Sequence, residues 1–200
     1  MKTINNLEEL ELLYDPPVER SIKKVTPIIT PLYRHWIEAS RFLVVATAGE
    51  EGCDASPRGD IDSLVKIPDM NTIWLPDWRG NNRLDSLRNI VSDGRISLMF
   101  MVNGCNNVVR VIGHAVLTAD EQTRHVFLRN NKAPKTVIVI SVKEVYFQCA
   151  KALMRSDLWN TPTSPVSVPS AGDFSKEQDS SFDSKSYDDG YDDYAKKILW

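Results

Sequence analysis

The residues best suited to chemistry lie between Cys53 and Asn89, where CDASPRGD is followed at a distance by LPDWRGNNRLDSLRN. Strand alternation puts Ser56, Arg58 and Asp60 on one face. Pro57 cannot donate to a sheet ladder, so this stretch belongs at an edge or a bulge, where sites are often built. Downstream, Gly80-Asn81-Asn82-Arg83 turns the chain into a helix. The amides and dipole of a helix start favour an anion. Asn81 and Asn82 suit a cap, and Gly80 lets backbone approach a ligand closely. Arg83 stands at the mouth, where a guanidinium can hold a phosphate through two hydrogen bonds. The chemistry this pattern could do is recognition of a phosphorylated ligand. The plain alternative is an exposed Arg58–Asp60 pair and a solvated Arg83, which contribute little stability.

Two further pieces add to it. In Val109-Arg110-Val111-Ile112-Gly113-His114-Ala115, Arg110 interrupts an apolar strand, and His114 reads as an outward-facing strand residue. Lys151, Arg155 and Trp159 are spaced by four, which suits one helix face, either a charged surface or a lid over a ligand. His35 and His125 have no partner pattern. Cys53, Cys105 and Cys149 are far apart and odd in number, with no C-x-x-C spacing, so neither a disulfide framework nor a metal site is expected. They read as buried or half-buried thiols in a reducing compartment.

The elements that must position these residues follow from patterning. The 200 residues carry 42% hydrophobic content and a net charge of −3, which fits a globular domain and argues against nucleic acid as the main partner. No apolar run is long enough to span a bilayer, and the opening residues lack the apolar core of a secretion signal, so a cytoplasmic protein is expected. A short helix is expected over residues 6–14, capped by Asn6 with Leu7, Leu10 and Leu13 on one face, and a second from Pro17 to about Val25. Thr30-Pro31 opens a third, to about Ser40, with Leu32, Trp36 and Ile37 facing inward. Strands are expected at 41–48, 53–60 and 71–76, as a hairpin at 96–102 and 107–118 around Asn103-Gly104, and at 135–148. Gly49-Glu50-Glu51-Gly52 reads as the first turn, and residues 61–70 as a short linker. Helices are expected at 84–91, with Leu84, Leu87 and Val91 inward, and at 119–130.

With no βαβ rhythm and no G-x-G-x-x-G, the fold class is mainly β with flanking helices, a small antiparallel barrel. Three regions are expected: N-terminal helices over 1–40, a barrel over 41–159, and a C-terminal arm over 160–200. The arm is rich in Ser, Pro and Asp, ordered or not, and its last apolar residues could dock.

These pieces together resemble the pyridoxamine 5′-phosphate oxidase-related flavoproteins. The nearest pattern is a subgroup with a CDxSPRGD strand, found here at 53–60, and a PDxxGNNRLDSLRNI segment, found here at 76–90. SLMF at 97–100, VRVIGHA at 109–115 and CAKALMRSDLW at 149–159 also sit where that family has equivalents. The resemblance implies an FMN-binding split β-barrel, with the flavin at a homodimer interface. It implies Arg58 and Arg83 for the phosphate, with Asn82 and Ser86 as supporting donors. It places Pro76 and Asp77 along the ribityl or isoalloxazine region, and brings Lys151 and Arg155 to the flavin from the other subunit. Ser56, Asp60 and Arg110 complete the expected cofactor-binding set. The motifs of true pyridoxamine-phosphate oxidases are not reproduced, so vitamin B6 oxidation is not implied. Trp78 and His114 stand where arginine is more usual in the subgroup. No nucleophile or acid–base dyad is visible, as suits a protein whose cofactor does the chemistry. The implied function is an FMN-dependent oxidoreductase acting on a small-molecule substrate or electron donor. The alternative is a barrel that binds FMN, deazaflavin or haem without turnover.

Overall fold

Alternation of apolar and polar residues through the middle of the chain resolves into strands in the computed structural model, which describes residues 1–50, 52–164 and 166–198. The expected turn at Glu51 and the expected docking of Leu199 and Trp200 lie outside the described residues. The chain divides into a unit ending at Trp159 and a second beginning at Asn160.

The first unit opens with helices α1 (Leu7–Glu11), α2 (Glu19–Lys23) and α3 (Pro31–Ala39). The strands are β1 (Phe42–Gly49), β2 (Gly52–Gly59), β3 (Lys66–Asp69), β4 (Thr72–Asp77), β5 (Arg95–Met101), β6 (Val108–Thr118) and β7 (Thr136–Gln148). Helix α4 (Asp85–Ser92) joins β4 to β5, α5 (Glu121–His125) joins β6 to β7, and α6 (Lys151–Ser156) follows β7. The strands form one antiparallel sheet in the order β2-β1-β5-β6-β7-β4-β3.

Five strand steps separate β2 from β4, about 24 Å in a flat sheet. Yet Arg58 of β2 lies 3.8 Å from Asp77 of β4. The sheet therefore curls until its two ends meet through side chains rather than a ladder. This open barrel with helices outside is the mainly β architecture that the sequence implies. Its interior is packed by Leu43, Val45, Leu98, Phe100, Val111, Ile138 and Ile140, all fully buried.

A bulge in the β6–β7 ladder lies between Ile112 and Gly113. A Cβ on Gly113 would run into the carbonyl oxygen of Ser141, so the glycine serves backbone packing here. Gly113→Ala should destabilise the barrel by about 1–3 kcal/mol, the usual cost of overpacking, read from the shift of a urea denaturation midpoint. His114 is exposed on the strand, as expected, and its ring packs over Gly94.

Several inward faces differ from expectation. In α3, capped by Thr30, Ile37 is buried and Tyr33 and Trp36 pack on the core, while Leu32 is 84% exposed because it stands in the first turn on the outer side. In α4 the buried residues are Ser86 and Ile90, whereas Leu84 and Val91 face solvent. The face Leu7, Leu10 and Leu13 around α1 is exposed as well. The linker expected at 61–70 contains β3, and α5 is one short helix rather than a long one. Helix α6 ends at Ser156 because Asp157 takes a left-handed conformation, so Trp159 is not on its face; the indole donates to the Cys105 carbonyl at 3.0 Å. Cys53 and Cys149 are exposed rather than buried.

The second unit contains α7 (Ala171–Gln178) and α8 (Ser184–Ile198). A capping box between Ser170 and Asp173 opens α7. Asp188 of α8 accepts from the Ser170 hydroxyl at 2.5 Å and from the Gly172 amide at 3.0 Å, fastening the two helices. The polar composition of this stretch thus forms capped helices. No helix among the described residues is long and apolar enough to cross a membrane.

Candidate functional site

The face of β2 turned inward carries a polar row. Asp54, Ser56 and Arg58 are half-buried and Asp60 continues the row just past the strand, while Cys53, Ala55, Pro57 and Gly59 between them are exposed. Period-2 alternation requires this, because β2 is an edge strand whose one covered face rests on the barrel. Each member of the row is tied to a different element.

Asp54 accepts a hydrogen bond from the Ser86 hydroxyl in the first turn of α4. Asn89, one turn further, donates to the buried Thr47 hydroxyl of β1 at 3.1 Å. These two polar links explain why Ser86, not Leu84, is turned inward. They seat the N-terminus of α4 against β1 and β2. Leu84 occupies the N-cap position in a left-handed conformation and no side chain caps the helix. Asn81 instead accepts from the Arg83 amide at 3.0 Å, in a turn just before the helix, and Asn82 has a positive φ of 61°. The expected asparagine cap is therefore replaced by an uncapped helix start, whose amide donors remain suited to an anion.

Arg58 donates to the Ser56 hydroxyl and to the Pro57 carbonyl, and its Nη2 faces Asp77 Oδ1 at 3.8 Å. The side chains of Arg58 and Asp77 are only 28% and 18% exposed, so solvent screens this pair less than a surface pair. Burial nevertheless pushes the Asp77 carboxyl above the usual carboxylate range, while Arg58 and Lys135 pull it back only in part. The charge of Asp77 is thus incompletely compensated. Thr136, its partner in the sheet register, carries a buried hydroxyl oxygen with no hydrogen-bond partner among the described residues.

Asp60 does not pair with Arg58. Both of its oxygens accept from Arg129 Nη1 at 2.9 Å, and the guanidinium of Arg129 lies 5.6 Å from the centre of the Trp78 ring. Arg129 follows α5 and belongs to none of the motifs read from the sequence. The one local signal is Asn130-Asn131, a pair suited to a tight turn with positive φ.

The other expected residues fall elsewhere in the chain. Pro76 is buried in β4 opposite Val137. Arg83 is 80% exposed and its Nε pairs with Asp85 at 2.5 Å. Arg110 lies on the opposite face of the sheet: it pairs in register with Met99, which aligns with Val44 and Pro57, whereas Arg58 aligns with Leu43, Phe100 and Val109. Its guanidinium lies 5.4 Å from the Tyr146 ring. Lys151 and Arg155 are exposed on α6, at the end of the sheet where the β5–β6 hairpin turns. One chain therefore strings Ser56, Arg58 and Asp60 along β2 and just past it, with Asp77 of β4 facing Arg58 and Ser86 of α4 fastened to Asp54 at the other end of the row. It does not bring Arg110 to this seam of β2 with β4 and α4.

A donor set of this kind is suited to an anionic group. Arg58 is half-buried on β2, the start of α4 offers uncapped amides, and the Trp78 ring lies under the guanidinium that holds Asp60. The sequence pattern described as pyridoxamine 5′-phosphate oxidase matches residues 29–149, which contain the whole seam. No curated protein matches the chain. Among solved structures the chain is similar to HupZ of Group A Streptococcus, with a TM-score of 0.48 and 20% identity over 58% of this chain and 91% of that one. It is similar to General Stress Protein 26 of Bacillus anthracis, with a TM-score of 0.43 and 14% identity over 57% and 88% of the two chains. An FMN-binding protein of Syntrophomonas wolfei gives a TM-score of 0.43 and 12% identity over 72% and 97%.

Proposed function

The chain belongs to the pyridoxamine 5′-phosphate oxidase family, and we propose that it binds FMN at the β2–β4–α4 seam and uses it as an oxidoreductase. The observation that carries this reading is the polar row of β2. It places Arg58 and Ser56 on a rigid strand, beside a helix start that no side chain caps and that Ser86 anchors to the same row.

When bound, the flavin ring supplies the hydride or electron chemistry, and the protein supplies binding, orientation and electrostatics. Arg58 holds the phosphate, with Ser56 orienting the guanidinium. The first amides of α4 add neutral donors, and Asn82 and Arg83 flank them from the preceding turn. Pro76 and Asp77 line the path from phosphate to ring, and Asp60 shapes its end. Lys151 and Arg155 reach the flavin from a second subunit of a homodimer, and Arg110, on the outer sheet face, belongs to the same interface. The partner in turnover is a small-molecule substrate or electron donor.

A visible absorption spectrum after gel filtration, with added FMN if the protein is colourless, tests this. Flavin bands that travel with the protein are expected. Reduction by NADH or NADPH followed by rapid reoxidation in air is expected of an enzyme, whereas a carrier would stay oxidised. Absence of flavin uptake, or a haem-type band in its place, would overturn the proposal.

A further inference from the structure

Arg129 makes a well-covered charged contact near the seam, although nothing in the motifs points to it. Its backbone exchanges two hydrogen bonds with Lys132, Arg129 N to Lys132 O at 2.9 Å and Lys132 N to Arg129 O at 2.8 Å. The turn between them has Asn130 and Asn131 at φ values of 48° and 59°. Two asparagines at positive φ form a tight turn that presents the flanking side chains in a set direction. Arg124 braces the same connection by donating to the Pro134 carbonyl at 2.7 Å.

From this turn the Arg129 guanidinium reaches two groups from distant parts of the chain. It holds both oxygens of Asp60, whose side chain is only 7% exposed, and it lies over the indole of Trp78, the residue after Asp77. A charge-assisted pair this well covered, shared with an aromatic face, resists rearrangement more than a surface pair does. Arg129 thereby joins the end of β2, the exit from β4 and the turn before β7 at one point.

We infer that Arg129 is a positioning residue of the site: anchored by Asp60, it fixes the Trp78 indole as an aromatic wall for the planar ring of the ligand. This rests on the flavin reading above. Arg129 acts through Trp78 and does not touch the phosphate. The cation over the indole restricts the ring to one orientation, so a ligand ring meets a preorganised surface.

The test uses the full-length protein with Arg129→Gln, Arg129→Lys and Trp78→Leu. Near-ultraviolet circular dichroism of the ligand-free protein reports whether the indole is held. Arg129→Gln should remove the same indole signal that Trp78→Leu removes, and Arg129→Lys should restore part of it. Titration with FMN and with riboflavin, which lacks the phosphate, supplies the second reading. Arg129→Gln should weaken both by about tenfold, leave their ratio unchanged, and add little when combined with Trp78→Leu. An intact indole signal in Arg129→Gln would overturn the inference. So would loss of FMN but not riboflavin, which marks a phosphate contact, or full additivity with Trp78→Leu. If the wild-type protein takes up neither flavin, the proposed function falls, while the dichroism still decides whether Arg129 positions the indole. Should Arg129→Gln fail to fold, Arg129→Lys and Asp60→Asn are judged by the same two readings.

Discussion

Replacing Arg58 with alanine is expected to weaken FMN binding by about 10- to 150-fold and to leave riboflavin binding almost unchanged. The range corresponds to the roughly 1.5–3 kcal/mol of a hydrogen bond to a charged group. Arg58 is held more firmly than Arg83: it sits on a strand, donates to Ser56 and Pro57, and is only 28% exposed. Arg83 is the other candidate for the phosphate, but it is 80% exposed and paired with Asp85. Its removal should cost less, because a flexible arginine loses more freedom on binding and a screened charge gains less. Isothermal titration with the two flavins measures both variants. Equal losses for FMN and riboflavin in Arg58→Ala would show that Arg58 does not read the phosphate. A larger loss from Arg83→Ala would move the phosphate out to the helix mouth.

The polar row was legible in the sequence because it needs only alternation: Ser56, Arg58 and Asp60 must share a face if 53–60 is a strand, and Pro57 marks that strand as an edge. Its partners were not legible. Asp60 takes an arginine 69 residues away, and Arg58 takes a carboxylate from β4, because curling of the sheet brings its two ends together. No local pattern encodes that closure. Arg129 could have been suspected only from the Asn130-Asn131 turn beside it.

Helix α4 shows a different failure. Hydrophobic periodicity points to Leu84, Leu87 and Val91; Leu87 does pack on the core, but the fully buried residues are Ser86 and Ile90, and Leu84 and Val91 face solvent. A buried serine is silent in a hydrophobicity count, and here its burial is compensated by the hydrogen bond its hydroxyl donates to Asp54. The left-handed Leu84 also starts the helix one residue later than the pattern implies. β3 carries no strand signal, because Lys66-Ile67-Pro68-Asp69 offers a single core residue, Ile67, between charged ends and a proline. The long strands, by contrast, were legible in type and nearly in extent, because runs such as 136–148 have both the length and the β-branched content of a buried strand.

Asp77→Asn is expected to tighten FMN binding by about tenfold at neutral pH and to stabilise the ligand-free barrel. In the proposed site Asp77 would compete with the phosphate for Arg58, and two opposite charges about 4 Å apart interact by up to ~4 kcal/mol in partly screened surroundings. Only part of that is recovered on substitution, since the asparagine carbonyl oxygen still accepts a hydrogen bond. The pH dependence follows from the direction of the shift. Burial raises the Asp77 carboxyl above its unfolded value, so the folded protein binds the proton more tightly than the unfolded chain does. That contribution to stability is fully present below the unfolded value and is lost as pH rises through the folded one. Asp77→Asn removes this slope, so the melting temperatures of the two proteins should converge in acid and separate above the folded value. The ligand's phosphate also gains and loses a proton, near pH ~6, but this cancels in the ratio of the two dissociation constants. The ratio should approach one in acid and reach its full value once Asp77 is ionised. A ratio independent of pH would show that the carboxylate does not compete with the phosphate. A ratio favouring the wild type would show instead that Asp77 holds Arg58 in the geometry the phosphate needs.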